Sequence, residues 1–298
     1  MIPRNEYPRP QLVRDNWLCL NGEWQFEIDN SKSGAERGLY EKDRTLEGRI
    51  TVPFCPESRL SGVGHRDFMA CVWYKRTLEI PDEWKGKRIL LHFGAVDYHA
   101  TVYINGKRAC EHRGGYTPFC TDITDLLTGE GDTVTLSASD DLRSHLQPAG
   151  KQSSRYESYG CFYTRTTGIW QTVWLEAVPK SYVRNLRITP DFDGAAVDIS
   201  AEIVGDEDAY AHFGGESYLL PARLPVPDFE PWSPEHPKLY GFSVTCGEDE
   251  VQSYFAMRKF SVEKDKDGVA RLFLNNEPYF HNGLLDQGYW PDGLYTAP

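Results

Sequence analysis

The chain has 298 residues, with 32 Lys and Arg against 44 Asp and Glu and a formal net charge of −12; so acidic a chain lacks the basic face that nucleic acid requires, and no nucleic-acid partner is expected. Hydrophobic residues at 40% and charged residues at 26% mark a globular chain rather than a disordered one, with room for two domains and part of a third at ~100–200 residues each. No apolar run approaches the ~20 residues that cross a bilayer, and no signal-like apolar core follows Met1, so a cytoplasmic protein without a membrane partner is expected. Cys19, Cys55, Cys71, Cys110, Cys120, Cys161 and Cys246 include no C-x-x-C pair. Free thiols in a reducing compartment are therefore expected, with no metal and no cofactor. Aromatic residues make up 13% of the chain, which suits pleated sheets and also stacking on sugar rings.

Strand signals run almost from end to end. Trp17–Asp29 alternates on both sides of Asn21-Gly22, a dipeptide that reads as a two-residue hairpin turn. Residues 81–86, opening on Pro81, and residues 122–127, opening on Asp122, are the few helical signals, one or two turns each. Arg88–Phe93, Thr133–Ser139 and Thr172–Val178 have the apolar bias of buried strands, and His99–His112 is a second hairpin around Asn105-Gly106. Many short strands punctuated by Gly, Pro and Asn predict a β-sandwich over residues 1–180. Alternating runs at Tyr182–Pro190, Ala196–Val204, Leu239–Cys246 and Val251–Phe260 predict a second, immunoglobulin-like sandwich over 181–262. That segment is short for seven strands, which suggests sequence missing between Gly205 and Pro231. A third unit is expected over 263–298, with a turn at Asp267-Gly268, a strand over 269–276 and another over 277–286.

Several motifs together carry a resemblance. They are Asn21-Gly22-Glu23-Trp24-Gln25-Phe26, Val72-Trp73-Tyr74-Lys75-Arg76, Val102-Tyr103-Ile104-Asn105-Gly106 and Gly114-Gly115-Tyr116-Thr117-Pro118-Phe119. Further on come Gly168-Ile169-Trp170-Gln171, Trp232-Ser233-Pro234-Glu235 and Phe273-Leu274-Asn275-Asn276-Glu277-Pro278. In order and over nearly the whole chain they resemble glycoside hydrolase family 2, which includes β-galactosidases, β-glucuronidases and β-mannosidases. The resemblance implies an all-β chain: a galactose-binding-like jelly roll, an immunoglobulin-like sandwich, and the first strands of a truncated (β/α)₈ barrel. In the family that barrel carries two glutamates, which retaining hydrolysis places ~5–5.5 Å apart. A barrel takes ~250 residues, so neither glutamate lies in this chain and the expectation is a catalytically inert part of a β-glycosidase. Its partners are then a β-glycoside substrate, its own barrel and, through exposed strand edges, another copy of itself. The rival reading is a free-standing lectin-like module, which the reading frame past Pro298 separates from the first.

No catalytic residue is assigned. Asn276-Glu277 imitates the family's acid/base pair but precedes Pro278 in a turn, and Asp265–Gly268 lacks the ligands of a calcium loop. The resemblance implies that loops of the jelly roll lean over the barrel mouth. There Lys151, Gln152 and Arg165 offer hydrogen-bond donors and Tyr163 a ring, with Arg66 and Asp67 as polar tips of a second loop. Asp286 and Gln287 end the expected first barrel strand. An Asp that some members carry about seven residues before the equivalent of Gly168 is replaced here by Gly160, Cys161 and Phe162. Loop packing is the alternative reading for all of these side chains. Two consequences are expected: truncating Gln152 or Arg165 weakens catalysis without unfolding the jelly roll, and removing 263–298 leaves the melting temperature nearly unchanged.

Overall fold

The alternation in the sequence becomes strands along almost the whole chain. The computed structural model describes residues 1–298, and its helical elements are single 3₁₀ turns at Asp82–Trp84, Thr124–Leu126 and Leu142–Ser144. No helix is long and apolar enough to cross a membrane. The chain divides into two units: residues 1–8, 16–177 and 287–298 form the first, and 9–15 and 178–286 the second.

The first unit holds β1 (Trp17–Cys19), β2 (Gly22–Ile28), β3 (Gly48–Val52), β4 (Cys71–Thr77), β5 (Arg88–Phe93) and β6 (Val96–Asp97). It continues with β7 (His99–Ile104), β8 (Lys107–Arg113), β9 (Phe119–Asp122), β10 (Thr133–Ser139), β11 (Gly168–Ile169) and β12 (Val173–Val178). Six strands pair in the order β3-β2-β4-β10-β7-β8 and four in the order β1-β12-β5-β9, while β6 and β11 form a short ladder of their own. Inward side chains of the sheets, among them Trp24, Phe26, Tyr74, Leu91, Phe93, Val102 and Leu136, are buried in one core. This is an antiparallel jelly roll.

The two Asn-Gly pairs behave differently. Asn105-Gly106 turns β7 into β8 with both residues at positive φ, +51° and +79°, the backbone that a two-residue hairpin turn demands. Asn21-Gly22 makes no hairpin: β1 pairs with β12, whereas β2 pairs with β3 and β4. The chain changes sheets there. The buried Asn21 amide pins the crossing, donating to Pro3 O and Arg4 O at 3.1 and 3.0 Å and accepting from Val173 N at 3.0 Å.

The second unit contains β13 (Tyr182–Asp191), β14 (Ala196–Val204), β15 (Ala209–Phe213), β16 (Glu216–Leu219), β17 (Ala222–Pro225), β18 (Tyr240–Cys246) and β19 (Asp249–Phe255). Sheets β13-β14-β17 and β16-β15-β18-β19 enclose Val183, Ile199, Leu224, Phe242, Val244 and Phe255, an immunoglobulin-like sandwich. All seven strands are present, because strands of four or five residues fit where longer ones were sought. Residues 9–15 belong to this unit because Val13 bridges Gln252 and Leu12 is buried in its core. Arg14 and Asp249, both buried, pair through two contacts of 2.9 and 2.8 Å, and Asp249 also accepts Val183 N.

Residues 263–298 do not form a unit of their own. β20 (Phe260–Lys264), β21 (Ala270–Leu274) and β22 (Glu277–Pro278) make an antiparallel meander in the second unit. The strand expected over 277–286 shrinks to two residues, since Pro278 lacks a donor and the chain beyond has no neighbouring strand. Residues 287–298 instead join the jelly roll.

Candidate functional site

Residues 151–167 approach β11 as a loop closed at its neck. Ser153 N bonds Tyr163 O at 2.6 Å and Tyr163 N bonds Lys151 O at 2.7 Å. The loop is filled by Arg165, only 2% exposed. Its guanidinium donates to the carbonyls of Ser153 (3.3 Å), Tyr156 (3.1 Å), Arg155 and Arg66, and it lies over the Phe68 ring at 4.2 Å. A planar fork with five donors serves several carbonyls at once, which a lysine cannot do. Arg165 thus ties the 153–156 loop to the 66–68 loop.

Beneath this loop lie three carboxyls that sequence reasoning missed. Gln152 donates to Asp97 Oδ2 at 2.7 Å and accepts Thr166 N at 2.8 Å. Thr167 N donates to Glu57 at 3.2 Å, and Thr167 Oγ1 reaches Asp140 at 3.4 Å. Burial pushes Asp97 up to about 8, with the Asp140 charge adding to it. Burial likewise pushes Glu57 up to about 7 and Asp140 up to about 6. One oxygen each of Glu57 and Asp97 has no partner. Gly115 makes room for Asp97, because a Cβ there meets its Oδ1 at 2.7 Å. Raised carboxyls often mark catalysis, but Asp97 and Glu57 are 1% and 3% exposed and leave no space for a glycosidic bond. They hold the loop. The available signal was a single Asp closing the apolar run Phe93-Gly94-Ala95-Val96-Asp97.

A tyrosine cluster forms the adjoining wall. Tyr163 stacks on Tyr289 with ring centroids 3.8 Å apart and donates to Gln287 at 2.9 Å. Tyr295 bonds Tyr116 at 2.6 Å and Tyr289 at 2.9 Å through their hydroxyls and packs against Trp170. The 287–298 segment is anchored further by Thr296, which donates to Trp170 O at 2.5 Å, and by Asp292 O, which accepts Arg59 N at 3.1 Å. Residues 287–298 thus fold back on the jelly roll.

The expected site residues take different places. Tyr163 and Gln287 meet, and Lys151 stands exposed at the neck of the same loop. Gln152 and Arg165 are buried and occupied by internal bonds. Arg66 is exposed with a 3.4 Å contact to Thr164, while the Asp67 carboxylate accepts the Phe68 N–H at 2.7 Å. Asp286 is exposed and belongs to the second unit.

A jelly roll bearing an aromatic and polar loop wall thus shares this chain with an immunoglobulin-like sandwich. The profile described as "Glycosyl hydrolases family 2, sugar binding domain" matches residues 18–179, and the chain belongs to that family. The β-glucuronidase of Canis lupus familiaris is 30% identical across 93% of this chain and 49% of its own length, and that of Paenibacillus borealis 24% identical across 93% and 50%. The chain spans about half the length of these relatives. Among solved structures, the β-glucuronidase of Ruminococcus gnavus in complex with D-glucaro-d-lactam superposes with a TM-score of 0.81 at 20% identity, over 97% of this chain and 53% of that one. A β-glucuronidase from an uncultured Clostridium sp. gives 0.80 at 22%. At such identities the structures establish the fold.

Proposed function

We propose that this chain is the non-catalytic amino-terminal half of a retaining β-glycoside hydrolase, with β-glucuronides as the substrate class. The carrying observation is one of extent: 97% of this chain superposes on about half (53%) of a solved β-glucuronidase. Tyr163, Gln287 and Lys151 form the sugar-facing wall, with Arg66 and Asp67 at a loop tip beside the substrate; Asp286 is a separate candidate contact in the second unit. Gln152 and Arg165 are positioning residues that shape the wall from beneath. The chain works with its own catalytic barrel, as a homo-oligomer, in the cytoplasm, and its seven free cysteines suit such a reducing compartment.

The test compares two proteins on an aryl β-D-glucuronide. The 298-residue chain turns over nothing above background, because general acid and nucleophile together carry bond cleavage. The protein extended to the relatives' full length hydrolyses the glucuronide, and its Tyr163→Ala variant loses about tenfold in kcat/KM, as for one lost polar contact. Turnover by the purified 298-residue chain, surviving removal of contaminants, overturns the reading. So does an extended protein that ignores glucuronides.

A further inference from the structure

We propose that the jelly roll carries a second small-molecule site, a cavity that takes the carboxylated form of a monosaccharide, a hexuronate. The cavity holds about 320 Å³ and is lined by Asn30, Lys32, Phe68, Asp140, Arg143 and Arg165 among others; it shares no residue with the tyrosine wall. That volume sits at the lower end of small-molecule pockets, ~300–1,000 Å³, which limits the occupant to about one sugar ring.

The lining selects charge and shape. The Arg143 and Arg165 guanidiniums lie over the Phe68 ring at 4.0 and 4.2 Å, so one aromatic side chain sets both forks at the cavity wall. Arg143 and Lys32 hold no acidic partner. Arg165, nearly all of whose surface is buried, keeps its Nε–H without an acceptor. Three cations thus face two lining carboxyls, Asp140 and Asp141. Glu57 and Asp67 offset the Arg165 charge, which leaves Lys32 and Arg143 as the cations without an acidic partner to receive an anion. A guanidinium fork matches a planar carboxylate. Sugar hydroxyls find the Asn30 amide, whose oxygen already accepts Ala70 N at 3.2 Å and whose NH₂ is left to donate, and Asp140, which has only Gln147 and Thr167 as partners.

The site stands or falls without reference to hydrolysis, because the 298-residue chain itself is the test object. Titrating the ¹⁵N-labelled chain with sodium D-glucuronate is expected to give saturable amide shifts at Lys32, Phe68, Arg143 and Thr167, and D-glucose none. Arg143→Ala and Lys32→Ala, both exposed and without side-chain hydrogen bonds to lose, each weaken binding about tenfold; Lys32→Ala leaves melting unchanged, and Arg143→Ala, which gives up its Phe68 contact, lowers it only by a few degrees. The absence of saturable shifts overturns the proposal, as do equal binding of glucose and shifts confined to Tyr163 and Tyr289. Equal binding of inorganic sulfate overturns it too, since the cavity is then a plain anion hole.

Discussion

Replacing Arg165 by Ala is expected to unsettle the jelly roll itself, not merely a loop surface. The side chain is 2% exposed and its guanidinium serves four backbone carbonyls, those of Arg66, Ser153, Arg155 and Tyr156. A hydrogen bond from a charged donor contributes ~1.5–3 kcal/mol when measured singly, and the Phe68 contact adds ~0.5–2 kcal/mol. These terms do not sum, because the freed carbonyls partly rehydrate as the loop opens; the loss of a buried charged partner usually costs ~3–5 kcal/mol. For a unit of this size 1 kcal/mol moves Tm by ~2–4 °C, so a fall of roughly 6–20 °C is expected. Arg165→Lys keeps the charge but cannot span four acceptors, and falls between the two. Circular dichroism melting measures the effect, and limited proteolysis shows cleavage moving into residues 153–158. A Tm within about 2 °C of wild type, less than ~1 kcal/mol, refutes the argument. It also restores the expectation that truncating Arg165 spares the fold.

Asp97→Asn tests the buried carboxyls through pH. In the folded chain Asp97 keeps its proton up to about 8 against an ordinary 3.8, so between those values the native state binds more protons than the unfolded one. Stability is full below 3.8 and is lost as pH rises through about 8. The urea midpoint of the wild type should fall across this window more steeply than that of Asp97→Asn; parallel curves contradict the assignment. Deleting residues 287–298 removes the Tyr289, Tyr295 and Thr296 anchors and should lower the jelly-roll Tm on the order of 5 °C, read by differential scanning calorimetry. An unchanged endotherm means that the tail only rests on the surface.

Strands were legible wherever alternation and turn chemistry agreed. β10 and β14 fall where the apolar runs placed them, and Asn105-Gly106 forms its hairpin, because each depends on residues within a few positions of one another. Asn21-Gly22 failed for the opposite reason. Its conformation is decided by Pro3, Arg4 and Val173, partners remote in sequence that no local pattern reveals. The candidate site was half legible. Lys151–Arg165 was recognisable as a polar and aromatic loop, but the division between buried props and exposed contacts was not. An arginine satisfied by four carbonyls has the same letter as one reaching for a ligand. The carboxyls below it were missed because nothing in composition marks an acid as enclosed.

The path of the backbone bears on how this protein can be dissected. Residues 9–15 leave the jelly roll to complete the second sandwich before the chain returns at residue 16, and residues 287–298 return once more at the end. A gene fragment cut near residue 180, where the sugar-binding profile stops, would carry Leu12 and Arg14 without the core and the carboxylate that receive them. A second-sandwich fragment begun there would in turn keep Asp249 with its guanidinium gone. Neither half is a contiguous cassette, and a domain swap that respects only linear boundaries exchanges an incomplete part for another.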